Sequence, residues 1–305
     1  MKKPLSILLL VILMLNSCVR DDIEACSGTM HLYFSYIYGG TNRFFETVTT
    51  PTHIIFYKAD RRYRELEVGT DETGLTRPYR LLKTQEDIGD LEIISWTLDD
   101  ALDYVDTPET PLGEGIVKLK EMTAGSRICR PVSDLLYGRI TCDAGSRLEG
   151  NILTIPFVRA VCRTRITMIP PTVEGDDTPF VRVAGSTIPS GPEDYVFHLN
   201  GTRSGVDYNN VVNDDEVILQ PKCYFDENSA NVTTHWFGSF SSEGKYLDVN
   251  VFVSNEQVAH FDCEPIGLTS VPGNYVDLVI DGRYVKPIME VRVNGWRLAV
   301  IESNM

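Results

Sequence analysis

The sequence is poor in everything that a catalytic or membrane-crossing chain advertises. Its first apolar run, Leu5 to Leu15, spans eleven residues, short of the ~20 needed to cross a bilayer as a helix. HExxH, GxSxG, GxxxxGK[ST] and GxGxxG are all absent, so nothing local points to zinc hydrolysis, a nucleophile elbow, or phosphate or dinucleotide binding. There is no CxxC and no Cys/His cluster at zinc spacing, which argues against a metal. Basic residues are few: 28 Lys and Arg stand against 43 Asp and Glu, a formal charge of −15. Such a field disfavours nucleic acid and anionic membrane surfaces as partners. Helical periodicity, fixed-period repeats and low-complexity tracts are scarce or missing.

What is present begins at the N-terminus. Lys2 and Lys3 precede the apolar run, and Asn16-Ser17-Cys18 follows it. This is the layout of a secretory signal, with a charged n-region and a short h-region. Leu15-Asn16-Ser17-Cys18 resembles a lipobox, in which the signal is cut before a cysteine that has received diacylglycerol. Residues 1–17 then read as a lipoprotein signal peptide and 18–28 as a lipidated tether, with Cys18 as the lipidation site. More than one acyl chain gives stable anchoring, at about 0.8 kcal/mol per buried methylene. Arg20-Asp21-Asp22 resembles the export signal of surface lipoproteins in one bacterial phylum. A plain signal peptide with an incidental Cys18 is the alternative.

After the tether the chain reads almost wholly as strands. Met30, Leu32, Phe34, Tyr36 and Tyr38 alternate on one face, the period of a half-buried strand. His53 to Ala59 and Leu91 to Trp96 are apolar on both faces and read as central strands. Leu98 to Val105 has apolar residues at helical spacing and suggests one short helix. Strand patterns recur through Ile116–Leu119, Leu135–Cys142, Asn151–Phe157 and Val161–Ile169. They continue through Phe180–Ala184, Asp194–Leu199, Val217–Leu219, Val232–Phe240 and Tyr246–Val253. Val258–Cys263, Tyr275–Ile280, Val285–Val293 and Trp296–Ile301 complete the set, and Asp281-Gly282 reads as a two-residue hairpin turn. Strands every ~10–15 residues with turn signals between them predict an all-β chain of β-sandwich domains. A boundary near residue 160 divides it into 29–160 and 161–305.

Seven cysteines occur. With lipid on Cys18, six remain and many pairings stay open; Cys129 and Cys142 flank a turn-rich segment and form the candidate bridge. Cys162 and Cys263 lie in alternating strands and read as small buried hydrophobes. The histidines His31, His53, His198, His235 and His260 are scattered. Asp214-Asp215-Glu216 and Glu174-Gly175-Asp176-Asp177 lack EF-hand spacing and read as solvated loops. Glycosidase carboxylates need no local motif, and no pair stands out. Trp96, Trp236 and Trp296 sit in strand contexts where core packing is the default. No cofactor and no catalysis is expected.

Several stretches together resemble the anchor-subunit family of type V (fimbrillin-type) pili, which are built from surface lipoproteins. They are the lipobox with Arg20-Asp21-Asp22, Cys26, Leu32 to Tyr36, Ile54 to Asp60 and Ile93 to Trp96. Asp134-Leu135-Leu136-Tyr137-Gly138 resembles the family's DLFYG, and Val291 to Trp296 its closing strand pair. Thr97 replaces the family's glycine after the strand tryptophan, Leu136 replaces the DLFYG phenylalanine, and the cysteines are more numerous. The resemblance implies two tandem transthyretin-like Greek-key sandwiches, an outer-membrane lipid anchor, and a role attaching the pilus and limiting its length. A subunit that keeps Cys18 keeps its first strand, so its own groove stays filled. It could still donate a strand to the fimbrial stalk subunit. The candidate is Trp296 to Ile301, with Trp296, Leu298 and Val300 as inward knobs; an ordinary edge strand is the alternative. Two other roles remain open: a pilus tip or accessory subunit, or a surface lipoprotein that captures glycan or protein and would need an exposed aromatic platform.

Overall fold

The computed structural model describes residues 29–70, 79–82, 91–105, 110–142, 152–170 and 191–304. The signal, the tether, Cys18, Cys26, the stretch 174–177 and the strand expected at 180–184 lie outside them. The described chain is almost wholly strand. Its first half holds β1 (Thr29–Ser35), β2 (Ile37–Tyr38), β3 (Thr41–Asn42), the single-turn helix α1 (Phe44–Thr47), β4 (Thr52–Lys58), β5 (Arg61–Val68), β6 (Tyr79–Leu82), β7 (Leu91–Thr97), β8 (Leu102–Val105), β9 (Ile116–Leu119), β10 (Ile128–Cys129), β11 (Leu136–Cys142) and β12 (Ile152–Arg159). Its second half holds β13 (Cys162–Ile169), β14 (Tyr195–Arg203), β15 (Gly205–Asp207), β16 (Glu216–Leu219), β17 (Cys223–Phe225), β18 (Val232–Thr234), β19 (Phe237–Ser239), β20 (Asp248–Val253), β21 (Glu256–Asp262), β22 (Tyr275–Asp281), β23 (Ile288–Val293) and β24 (Trp296–Glu302).

Two compact units form, and they differ from a single division near residue 160. Residues up to 95 together with 138–157 make one; 96–137 together with 158 onward make the other. The divisions fall inside β7, β11 and β12.

The first unit is built on a sheet ordered β5-β4-β7-β11-β12-β1-β6. β4 is buried along nearly its whole length, as a two-sided apolar run requires. β1 lies inside this sheet, parallel to β12 on one side and antiparallel to β6 on the other. Its alternation puts Leu32 and Phe34 in the core. Phe34 packs against Phe44 (5.2 Å between ring centres) and Phe157 (5.8 Å), and Phe44 against Phe157 (4.7 Å). Asn42 ties off the strand's end: its Oδ1 accepts the Tyr36 N–H at 3.0 Å and its amide donates to the Phe34 carbonyl at 3.0 Å.

The second unit holds a sheet β10-β16-β14-β20-β21, a sheet β17-β18-β13-β22-β23-β24 with β19 also on β13, and a small sheet β15-β9-β8. β13, β20 and β22 alternate strictly between buried and half-buried positions, the pattern of sheets that bury one face each. On the outer face of β13 and β22, Arg165 donates two bonds to Asp277 (3.0 and 2.8 Å) and its guanidinium stacks 4.8 Å from the Trp236 ring centre.

Three local expectations are corrected. The helix expected over Leu98 to Val105 is a turn leading into β8. The Asp99 carboxylate accepts the Ala101 N–H at 2.8 Å, and the Leu102 N–H reaches the Asp99 carbonyl at 3.1 Å. That side-chain capture competes with helix formation. The Asp281-Gly282 turn is a longer loop, because Asp281 pairs with Ile288 and its carboxylate holds Arg283. Val232 to Phe240 is two strands, β18 and β19, both paired with β13 and separated at His235-Trp236.

Candidate functional site

The sequence-derived site has two ends. Cys18 lies outside the described residues; the C-terminal strand is fully described. β24 ends its sheet, pairing with β23 on one side. The two are joined by Asn294-Gly295, both at positive φ (52° and 83°), the backbone that a two-residue hairpin turn demands. The chain beyond β24 is clipped down. The Ser303 N–H donates to the Pro287 carbonyl (2.8 Å) and the Asn304 N–H to the His260 carbonyl (2.9 Å). The Ser303 hydroxyl accepts the His260 N–H at 3.2 Å.

The knobs do not all point one way. A bulge between Val291 and Arg292 shifts the register, and a bulge reverses which side chains face inward. Trp296, Ala299 and Ile301 pair with Val293, Val291 and Met289, while Val300 pairs with Glu290 on the other face. Trp296 is 81% exposed, Leu298 51% and Val300 40%. All three side chains, the candidate knobs of a donated strand, reach solvent in this chain's own sheet. Other edges look different. β5 presents Arg61, Arg62, Arg64, Glu65 and Glu67, the charges that keep an edge from pairing, and β21 carries the Ser303–Asn304 clip.

The tryptophans separate. Trp96 is wholly buried against Tyr137 (4.5 Å), Trp236 is half-buried under Arg165, and Trp296 stands in solvent. Core packing therefore describes Trp96 and not Trp296.

The Asp134 to Gly138 motif is structural in every position. Asp134 receives two bonds from Arg159 (3.0 Å each) and one from Arg163 (3.1 Å). The Leu135 carbonyl accepts the Ala160 N–H, the Leu136 N–H meets Thr97 Oγ1, and the Tyr137 hydroxyl reaches the Tyr208 carbonyl. Thr97 thus has a use: a glycine there would leave the Leu136 amide without that acceptor. Gly138 leaves room for Ile155 and Phe157; a Cβ there would lie 2.8 Å from Ile155.

Cys129 is a free buried thiol, so the expected bridge to Cys142 is not formed. Cys162 and Cys263 are fully buried, as expected of small hydrophobes. Burial pushes the thiols of Cys223 and Cys263 up to about 12 and raises that of Cys162. His198 sits against Phe252 (4.9 Å) and Gln220 (3.2 Å), and His260 against Asn250 (2.9 Å). An open cavity of about 920 Å³ is lined by Asp103, Lys118, Lys120, Arg127, Asp214 and Glu216. Its charges are largely matched, Lys120 by Asp103 (3.8 Å) and Arg127 by Glu216 (3.6 Å). Among the described residues no group of three or more His, Cys, Asp or Glu is placed to hold a metal.

Fold and site together define an all-β protein that exposes Trp296, Leu298 and Val300 on a strand at the end of its sheet. Residues 23–302 match the profile of the fimbrillin-A associated anchor proteins Mfa1 and Mfa2, and the chain belongs to that family. No curated protein matches. Among solved structures, a proposed adhesin from Bacteroides ovatus aligns with a TM-score of 0.61 at 15% identity, covering 90% of this chain and 95% of its own. The fimbrial anchor protein Mfa2 from Porphyromonas gingivalis aligns at 0.53 and 10% identity, over 90% and 100%. A proposed polysaccharide-binding protein from Bacteroides thetaiotaomicron aligns at 0.58 and 15%, over 90% and 98%. These likenesses place the fold among β-sandwich proteins of this kind. The family is one of structural components of the cell surface, not of enzymes.

Proposed function

We propose that the chain is an outer-membrane lipoprotein that anchors a fimbria to the cell surface and limits its length, without catalysis. Cys18 carries the acyl chains, and two tandem transthyretin-like sandwiches project from the membrane. A fimbrial stalk subunit engages them by β-strand pairing at the Trp296–Glu302 strand. The observation that carries the reading is β1: it is seated within its sheet with Leu32 and Phe34 in the core. A stalk subunit opens a groove by losing this strand; a chain that keeps it has nothing to accept and terminates assembly. The apolar edge at β24 supplies the one contact such a terminus needs.

The test is Cys18→Ala in the native cell. The anchor role predicts fimbriae shed into the medium and longer than normal. Fimbriae that stay attached would favour a tip or accessory subunit, or a lipoprotein that captures glycan or protein, which the solvent-exposed Trp296 also suits.

A further inference from the structure

We propose that β24 engages its partner in place: it stays hydrogen-bonded to β23 and accepts an added strand along its free edge, instead of leaving its sheet. The inference rests on the anchoring reading and specifies how its contact is made. Three observations carry it.

First, β24 is held at both ends. Asn294-Gly295 closes the hairpin to β23, and Asn294 Oδ1 also accepts the Tyr275 N–H at 2.9 Å. At the other end Ser303, 3% exposed, and Asn304 bind Pro287 and His260 through the three bonds described above. Donation would break these together with the whole β23–β24 ladder. Addition breaks none of them.

Second, the free edge is open for pairing. Among the described residues β24 pairs with β23 alone, so the outward N–H and C=O groups are those an incoming strand would satisfy. Trp296 and Val300 stand on opposite faces of the strand. They would grip an added strand from both sides, which a single row of donor knobs does not explain.

Third, the charge around the edge is opposite to that of the chain. Arg283 is matched by Asp281 and Arg292 by Glu290. Arg297 shares Glu290 with Arg292, so over residues 281–302 four cations stand against three carboxylates, on a protein of net charge −15. The partner that fits is therefore an extended segment of alternating apolar residues flanked by carboxylates, a surface that the rest of this acidic chain would repel.

The experiment locks β24 to β23. Val291 and Ala299 lie directly opposite one another, so Val291→Cys with Ala299→Cys forms a cross-strand disulfide when oxidised. Retention of native fimbriae purified from the same cells is then measured for immobilised wild type and the locked variant. In-place addition predicts retention within about twofold of wild type, oxidised or reduced. Loss on oxidation that is restored by a reductant would overturn it and establish donation. If wild-type protein retains no fimbriae, the anchoring reading itself falls. Hydrogen exchange on wild-type protein gives an independent readout should the double variant fold poorly. Addition predicts that β23 amides stay protected and β24 amides gain protection on binding; donation predicts that β23 amides lose it. Leu298→Ala should weaken retention about tenfold, and added salt should weaken it further.

Discussion

Replacing Asp134 by alanine would strip Arg159 of both carboxylate contacts and Arg163 of one, in a place where the Arg159 side chain is 5% exposed. Removing one partner of a buried pair leaves an uncompensated charge and costs about 3–5 kcal/mol. Urea unfolding of Asp134→Ala should show a loss of that order, and a change below about 1 kcal/mol would mean that the cluster acts like a surface pair. His198 carries a pH dependence. Burial against Phe252 holds its pKa below the ordinary histidine value, with the Gln220 contact working the other way. The folded chain therefore binds this proton less readily than the unfolded one. The contribution is present above the unfolded value of about 6.5 and is lost as pH falls toward the folded one. Comparing urea midpoints at about pH 7.5 and pH 5.5, His198→Gln should narrow the gap seen in wild type; an unaltered gap would assign the dependence elsewhere. The thiols of Cys162, Cys223 and Cys263 are buried with raised pKa values, and the thiolate is the reactive form. They should resist alkylation in the native protein and react on unfolding, which mass spectrometry would read.

At the scale of elements, β1 illustrates a strand whose pattern was plain and whose neighbours were not. The alternation Leu32, Phe34, Tyr36 is visible in the chain itself. That β12 lies beside it in parallel, more than a hundred residues later, is not. Phe34→Ala should cost about 3–5 kcal/mol, since two aromatic rings lose their common neighbour. Gly138→Ala, with Ile155 2.8 Å from the added carbon, should cost about 1–3 kcal/mol by overpacking; thermal melts would check both. The misread helix at Leu98 to Val105 has the opposite lesson. Its apolar spacing matched a helix over only two turns, and such a short run does not separate helix from turn plus strand. Asp99 decided the matter by taking the Ala101 amide locally and the Ser133 amide and hydroxyl from afar, at 2.8 Å each.

For the whole molecule, the proposed function joins a lipid anchor at one end, sheets behind it, and load borne by backbone pairing. On the anchoring proposal, deleting residues 296–305 should leave the first unit folded and free the fimbriae while the protein itself stays in the membrane fraction. Fractionation and electron microscopy would show both. Attached fimbriae on a folded truncated protein would remove β24 from the contact.

What the linear chain determined was local: period-two alternation, turn residues, the lipobox pattern, and the absence of catalytic motifs. Each depends on neighbours within a few positions, where side-chain direction follows from backbone geometry alone. Tertiary structure alone decided which strand became an edge, where the bulge reversed Trp296 against Val300, and which arginine met which carboxylate. Arg165 and Asp277 are 112 residues apart in sequence and 2.8 Å apart in space. Pairings at that distance are set by the burial of whole faces against one another, and that competition has no signature in any single stretch of the chain.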